Sequence, residues 1–171
     1  MSAADESPED IFLPDGRLRL DLLTESALAA IYESLHQAQE TRWESVRSPH
    51  IFMGILAVPD EGVRNWGKRL EEDLSDILGK FQELFRQEAD AADAVLVLNR
   101  EFLSDNVLRL LRDAHQRAAS HGRRRITPMD LLITMLVSHD SIVAECFQNS
   151  GVTAAKLTEL AVIAEHQVRP G

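Results

Sequence analysis

The sequence predicts an all-α protein built on a duplicated helical unit, with a short extended or hairpin strap in front of it. Two observations carry that expectation. Between turn signals, apolar residues recur at helical spacing in nearly every stretch of the chain. In addition, the stretch from Leu23 to Leu56 returns as Leu103 to Leu136 at a constant offset of 80 positions. The offset pairs Thr24 with Ser104, Ile31 with Leu111, Val46 with Ile126, Ile51 with Leu131 and Leu56 with Leu136. It continues downstream, pairing Val63 with Val143 and Ile77 with Leu157. Each match is weak alone, but a shared offset that sets apolar on apolar marks a copied structural unit.

The elements follow in order. Residues 1–10 are small, polar and acidic, a composition that favours disorder. Pro14-Asp15-Gly16 signals a turn, and Arg17-Leu18-Arg19-Leu20-Asp21-Leu22 alternates behind it. This is a hairpin or an extended strap, and an isolated hairpin is marginal, so it must dock on the helices. Thr24 is placed to cap a first helix, with Glu25 at its positive end and Leu28, Ile31, Leu35 and Ala38 on one face. Ser48-Pro49 reads as cap and first residue of a second helix, which is almost wholly apolar and therefore central. A short helix from Val63 to about Leu70 carries Trp66, at the core or at a lobe interface. A longer one from Leu74 to Phe85 presents Leu74, Ile77, Leu78, Phe81, Leu84 and Phe85 inward. The acidic run between Glu71 and Asp93 reads as a solvated face leading into a connector. Ala94 to Leu98 is an extended connector or an added helical turn.

The second unit repeats this plan. Ser104 caps a helix; Gly122 and Arg123-Arg124-Arg125 form a loop; Thr127-Pro128 restarts, with Asp130 placed as the reciprocal member of a capping box. Val143, Cys146 and Phe147 lie on a short helix that stops at Asn149-Ser150-Gly151. Thr153 to about Gln167 closes the chain. The expected division is a tail and strap over 1–22, one repeat over 23–93, a connector over 94–101 and a second repeat over 102–168, the two repeats forming one domain.

Charge and composition narrow the function. A formal net charge of −10 disfavours nucleic-acid binding, which needs a basic surface. No apolar run approaches a membrane span, so no membrane contact is expected. The acidic N-terminus has neither the basic nor the apolar region of a signal peptide. A single cysteine, Cys146, cannot close an internal disulfide, and the chain reads as cytoplasmic. The six histidines show no metal-ligand spacing, so no metal or other cofactor is expected. Cys146 sits among apolar neighbours as a structural thiol. His50 reads as a residue that caps or packs at the start of its helix. Arg123-Arg124-Arg125 is either a solvated loop or a contact for an anionic partner such as an acidic peptide. Trp43, in the matching loop of the first unit and flanked by Arg42 and Arg47, is either an interaction hot spot or a ring folded back on the core.

The order of these features resembles the double N-terminal repeat of the Clp family of AAA+ protein unfoldases. A helix opening on Leu-Thr or Leu-Ser, a loop, a buried helix of the type His50-Ile51-Phe52-Met53-Gly54-Ile55-Leu56 and a short helix ending Ser150-Gly151-Val152 carry the resemblance, over roughly Leu22 to Val168. It implies two pseudo-symmetric four-helix lobes and a role in recognising substrate proteins or adaptors. The chain contains no phosphate-loop motif, so the ATPase is not part of this sequence. In the branch that reads phosphorylated arginine, a Gly-Thr-Glu-His run supplies an acid at each helix start. The corresponding runs here are Arg47-Ser48-Pro49-His50 and Thr127-Pro128-Met129-Asp130, with Pro49 and Met129 at the acid positions. In the disaggregase branch, the resemblance implies a binding role for Thr24 and places Arg123 and Met129 where that branch has two acids. The expected function is a non-enzymatic module that binds a protein or peptide, with Thr24, Trp43, Arg123, Arg124, Arg125 and Met129 as partner-binding candidates. Alternatives are the N-domain of a type VI secretion sheath-disassembly ATPase gripping a sheath helix, and more distantly a small α-helical enzyme or a nucleic-acid regulator.

Overall fold

The structure is a computed structural model that describes residues 10–88, 99–139 and 141–168. The acidic tail before Asp10 and the apolar run Ala94 to Leu98 lie outside the described residues. Among the described residues the helices are α1 (Glu25–Glu40), α2 (Ser48–Ala57), α3 (Glu61–Leu70), α4 (Leu74–Leu84), α5 (Asp105–Ser120), α6 (Pro128–Val137), α7 (Ile142–Gln148) and α8 (Ala154–His166). The first four and the last four match at the 80-residue offset, as do the 3-10 turns Leu20–Leu22 and Arg100–Phe102 that precede each set. The protein is all-α and consists of two pseudo-symmetric repeats.

The repeats are joined by reciprocal backbone contacts. Leu23 forms a parallel bridge with Ile126, and Leu103 forms its image with Val46. The Thr24 N–H donates to the Ile126 carbonyl at 3.0 Å, and Ile126 N–H returns a bond to Leu22 at 2.8 Å. At the equivalent place Ser104 N–H donates to Val46 at 3.0 Å and Val46 N–H to Phe102 at 2.8 Å. Each repeat thus holds the entrance to the first helix of the other. Thr24 and Ser104 also cap those helices, accepting from the Ala27 and Val107 amides.

The nearly all-apolar helices α2 and α6 run through the middle, buried from Pro49 to Leu56 and from Pro128 to Leu136. They are shielded by α1 and α5 on one side and by α4 and α8 on another. An aromatic cluster joins the repeats: Phe147 of α7 meets Phe52 and Trp66 edge-on at 6.0 and 6.1 Å and packs on Phe81 at 6.0 Å. Burying such rings contributes roughly 1.5–3 kcal/mol each. Trp66 is both core and lobe interface, because its indole N–H donates across to the Leu157 carbonyl at 3.1 Å.

The leading segment is a hairpin turn. Phe12 bridges Leu18, and Gly16 takes a φ of +91° in the tight turn between them. It docks as its marginal size requires: Ile11, Phe12, Leu18 and Leu22 are all in the core.

Two expectations about local structure change. The cap of α2 is Arg47 and not Ser48, so Pro49 occupies the second helical position. The pairing at the 80-residue offset, Arg47 with the Thr127 cap of α6, already implies this register. Leu84 is 63% exposed and not inward, because α4 ends there.

Gly54 sets the closest helix approach. A Cβ there would collide with the Ala30 carbonyl oxygen and come within 2.9 Å of the Ser34 amide, both backbone atoms of α1. Gly54→Ala should therefore cost about 1–3 kcal/mol by forcing α1 and α2 apart. Gly79→Ala, on a helix position with open space around it, should gain about 0.5–1 kcal/mol. Urea unfolding of both variants checks the contrast.

Candidate functional site

The chemistry of the two repeats diverges at one corner, where the loop after the first helix meets the start of the buried helix. In the second repeat the corner is ionic. Asp130, at the third position of α6, accepts from the Thr127 N–H at 2.9 Å and completes the capping box expected from the sequence. Its carboxylate is fully buried and pairs with Arg123 (Nη2 to Oδ1, 2.8 Å) and Arg117 (Nη1 to Oδ1, 2.6 Å). Arg117 also forks onto Glu165 of α8 at 2.8 and 2.9 Å. Burial pushes the Asp130 carboxyl up, but hydrogen bonds from Arg123, the Thr127 amide and Arg117 outweigh it and hold the group below its ordinary value.

In the first repeat the same corner is neutral and aromatic. His50 stands where Asp130 stands, and its Nδ1 accepts the Arg47 N–H at 2.9 Å. Because Nδ1 accepts, the ring proton sits on Nε2, which donates to Thr41 Oγ1 at 3.1 Å. Trp43 replaces Arg123 and meets the His50 ring edge-on at 5.5 Å. Its indole N–H donates to the Phe85 carbonyl at 2.6 Å, and Phe85 replaces Glu165. Gln37 replaces Arg117 and bonds Gln82 at 2.9 Å. His50 therefore does cap and pack at its helix start. Burial, with a smaller contribution from the Arg47 charge, lowers its pKa to about 4.

Beside this neutral corner an open groove of about 630 Å³ runs between the repeats. Trp43, Pro49 and Phe85 line it from the first repeat, and Ser104, Met135 and Ile142 from the second. Arg47 lies over the Trp43 ring at 4.8 Å and Arg109 stands on α5; both also line the groove. Ile142 and, beside the lining residue Ser138, Val137 are large apolar side chains left 42% and 62% exposed.

The residues singled out in the sequence are dispersed by the fold. Trp43 lines the groove while also packing on the core, so both of its readings describe one ring. Thr24 serves as the α1 cap. Arg123 is neither a solvated loop side chain nor a free cation, because Asp130 holds it. Arg124 pairs with Asp21 at 3.0 Å, and Arg125 is exposed. Met129 is only 2% exposed and packs against Gly62 of α3. The groove is the pseudo-symmetric image of the expected surface: Ser104, Trp43 and Pro49 replace Thr24, Arg123 and Met129. Sequence reasoning missed Pro49, Phe85, Ser104 and Ile142, although the offset carries Met129 onto Pro49 and Thr24 onto Ser104. Among the described residues, no three histidine, cysteine or acidic side chains come together as metal ligands.

No protein-family model matches the chain, and no curated protein matches its sequence. Solved structures do match its fold. The N-terminal domain of the protease-associated chaperone ClpD from Arabidopsis thaliana superposes with a TM-score of 0.66 at 16% identity, covering 88% of this chain and 99% of that one. The Hsp104 N-terminal domain from Candida albicans gives 0.68 at 13% identity, covering 86% and 93%. The N-terminal domain of the ClpV1 ATPase from the Sci1 type VI secretion system of enteroaggregative E. coli gives 0.63 at 15%, covering 86% and 88%. The fold is thus that of the N-terminal domains of Clp-type AAA+ unfoldases. At such identities the likeness fixes the fold, and the site is argued from this chain's own residues.

Two outcomes follow from the corners. Asp130→Ala leaves Arg117 and Arg123 to share Glu165 alone and removes the buried acceptor of the Thr127 amide, and should cost about 3–5 kcal/mol, whereas Arg125→Ala should stay within about 0.5 kcal/mol of wild type in denaturant titration. Acid should act in two stages. The His50 pKa is lowered, so the unfolded chain binds the extra proton first, and stability falls between about pH 6.5 and 4, by roughly 3 kcal/mol at most. The Asp130 contribution is present above the ordinary carboxyl value of 3.8 and is lost only below it. His50→Gln should flatten the first stage in a stability-versus-pH series and leave the second.

Proposed function

We propose that this chain is a protein-binding module of the Clp N-domain type, its two repeats acting as one domain that holds a protein segment in the inter-repeat groove. The observation that carries the proposal is the open groove between the repeats, lined by Trp43, Phe85 and the 42%-exposed Ile142. A half-buried tryptophan with its N–H already satisfied by Phe85 presents an apolar face without an unpaired donor, which suits it to anchor a partner. Burying such surface gives affinity at roughly 25 cal/mol per Å² before association costs. In this reading Trp43 is the anchor, and Thr24, Arg123 and Met129 act in the architecture. Arg124 and Arg125 stand outside the groove lining. The fold likeness to the Clp, Hsp104 and ClpV1 domains supports a role in substrate or adaptor recognition for an unfoldase. The ClpV1 likeness is no stronger than the other two, so a type VI secretion role is not favoured over them.

The test is affinity capture from native-host extract with immobilised protein, followed by reconstitution with the captured partner. Ile142→Asp and Trp43→Ala, each verified as folded by circular dichroism, should weaken the reconstituted complex at least tenfold, and Arg125→Ala should not. Equal binding by all variants overturns the reading.

A further inference from the structure

The open side of the repeat interface differs from its closed image first in charge. Arg47, Arg109, Asp113 and Glu145 line the groove, and the residues equivalent to them are Thr127, Ala29, Glu33 and Asn65. Both arginines thus belong to the open side alone. Among the described residues none of the four makes an ion pair. Two arginines against two acids cancel within the groove, on a chain whose formal net charge is −10. Copies of so acidic a chain repel one another, and here that repulsion is locally offset. The apolar residues differ in the same sense: Val137 and Ile142, 62% and 42% exposed, replace Ala57 and Gly62. Large aliphatic side chains left in water beside a groove mark a contact surface.

The α5 wall of the groove carries an order that identifies what covers it. Asn106, Arg109, Asp113 and Gln116 are all exposed and share one face of the helix. The first three line the groove and Gln116 continues the stripe. Arg109 and Asp113 stand four apart with the arginine on the N-terminal side, the weaker order for a pair within one helix. They leave each other unpaired. The stripe is also symmetric about position 111, with an amide at either end and opposite charges at the two places between. Read backwards, it offers an acid wherever the forward reading offers an arginine. Laid antiparallel on an identical helix, each arginine meets a carboxylate and each amide meets an amide.

We infer that this face binds a second copy of the chain about a two-fold axis, with the two α5 helices antiparallel. Arg109 of each copy then faces Asp113 of the other, and Val137 and Ile142 lose water at the margin. A two-fold contact uses the same patch on both partners, so it needs a surface complementary to itself. Unpaired charges of both signs in mirrored order supply that complementarity, and the exposed aliphatic side chains supply apolar area. A foreign partner would have to reproduce the same alternation of charge, which the second copy already carries. The inference rests on the protein-binding reading in taking the groove face as a protein contact, and goes beyond it in naming the occupant.

Sedimentation equilibrium of the full chain, up to about 1 mM, is the test. The expected result is a monomer–dimer equilibrium. Arg109→Asp and Asp113→Arg each set like charges against one another across the axis and should weaken the dimer at least tenfold. Both positions are exposed, so both variants should keep the fold, which circular dichroism checks. Mixed in equal amounts, the two variants should associate at least as tightly as wild type. The double variant Arg109→Asp/Asp113→Arg should dimerise again, a rescue that no folding defect imitates. Ile142→Asp should weaken the dimer at least tenfold. A chain that stays monomeric throughout overturns the inference. So does a dimer that Arg109→Asp leaves unchanged, and so do folded single variants that fail to rescue each other. If the chain is monomeric while the captured partner still depends on Trp43 and Ile142, this inference falls and the protein-binding reading stands.

Discussion

The structure depends on a reciprocal backbone exchange between the two repeats. Four hydrogen bonds, two around Ile126 and two around Val46, pin the entrance of each first helix to the loop of the opposite repeat. Backbone amides entering a core must find partners, and here each repeat supplies them to the other. The consequence reaches beyond stability. The loops that carry Trp43 and Arg123 leave these same crossings, so the exchange fixes both corners relative to both buried helices. It also makes the two sides of the repeat interface images of one another, with any chemical difference between them written entirely in side chains.

Those side chains solve one local problem in two ways. The first turn of a buried helix has amides that need acceptors, and both α2 and α6 place an acceptor at their third position. Asp130 does so as an anion, which obliges the fold to gather Arg117, Arg123 and, behind them, Glu165. A buried charge is tolerable only when it is paired in this way. His50 does so as a neutral ring, which needs no counter-charge and permits an aromatic environment. The ionic corner draws α8 inward through Glu165 and seals its side of the interface. The aromatic corner holds α4 by neutral bonds, from the Trp43 indole to the Phe85 carbonyl and from Gln82 to Gln37, but α4 stops at Leu84, and its side remains open. The groove thus lies beside the neutral, imidazole-bearing corner and the shorter of the two equivalent helices.

Glycine placement reinforces the asymmetry. Gly62 lets Met129 and Val168 close on α3, while Ile142 at the equivalent position contributes apolar surface to the groove. Gly54 acts in the other sense, allowing α1 to lie against α2 in a repeat whose partner uses Thr134 at the same place. Within a duplicated fold, single substitutions of this kind let one side become a closed interface and the other a surface available for binding, with the helix order unchanged.

The amino-acid sequence by itself determined the helices, the caps of α1, α5 and α6 and the copying of one unit into two, because apolar spacing and capping residues act within a few positions of each other. Thr24, Ser104, Thr127 and Asp130 could be assigned their caps from neighbours alone. The sequence also held the equivalence of Trp43 with Arg123 in plain view. The tertiary structure alone decided which of the two equivalent sides is open. That outcome turns on contacts between residues far apart in the chain: Asp130 with Arg117 and Arg123, Arg117 with Glu165, and Gly62 with Val168. A run of three arginines looks the same in sequence whether its first member reaches solvent or a buried carboxylate, and only the fold brings Asp130 within 2.8 Å of Arg123.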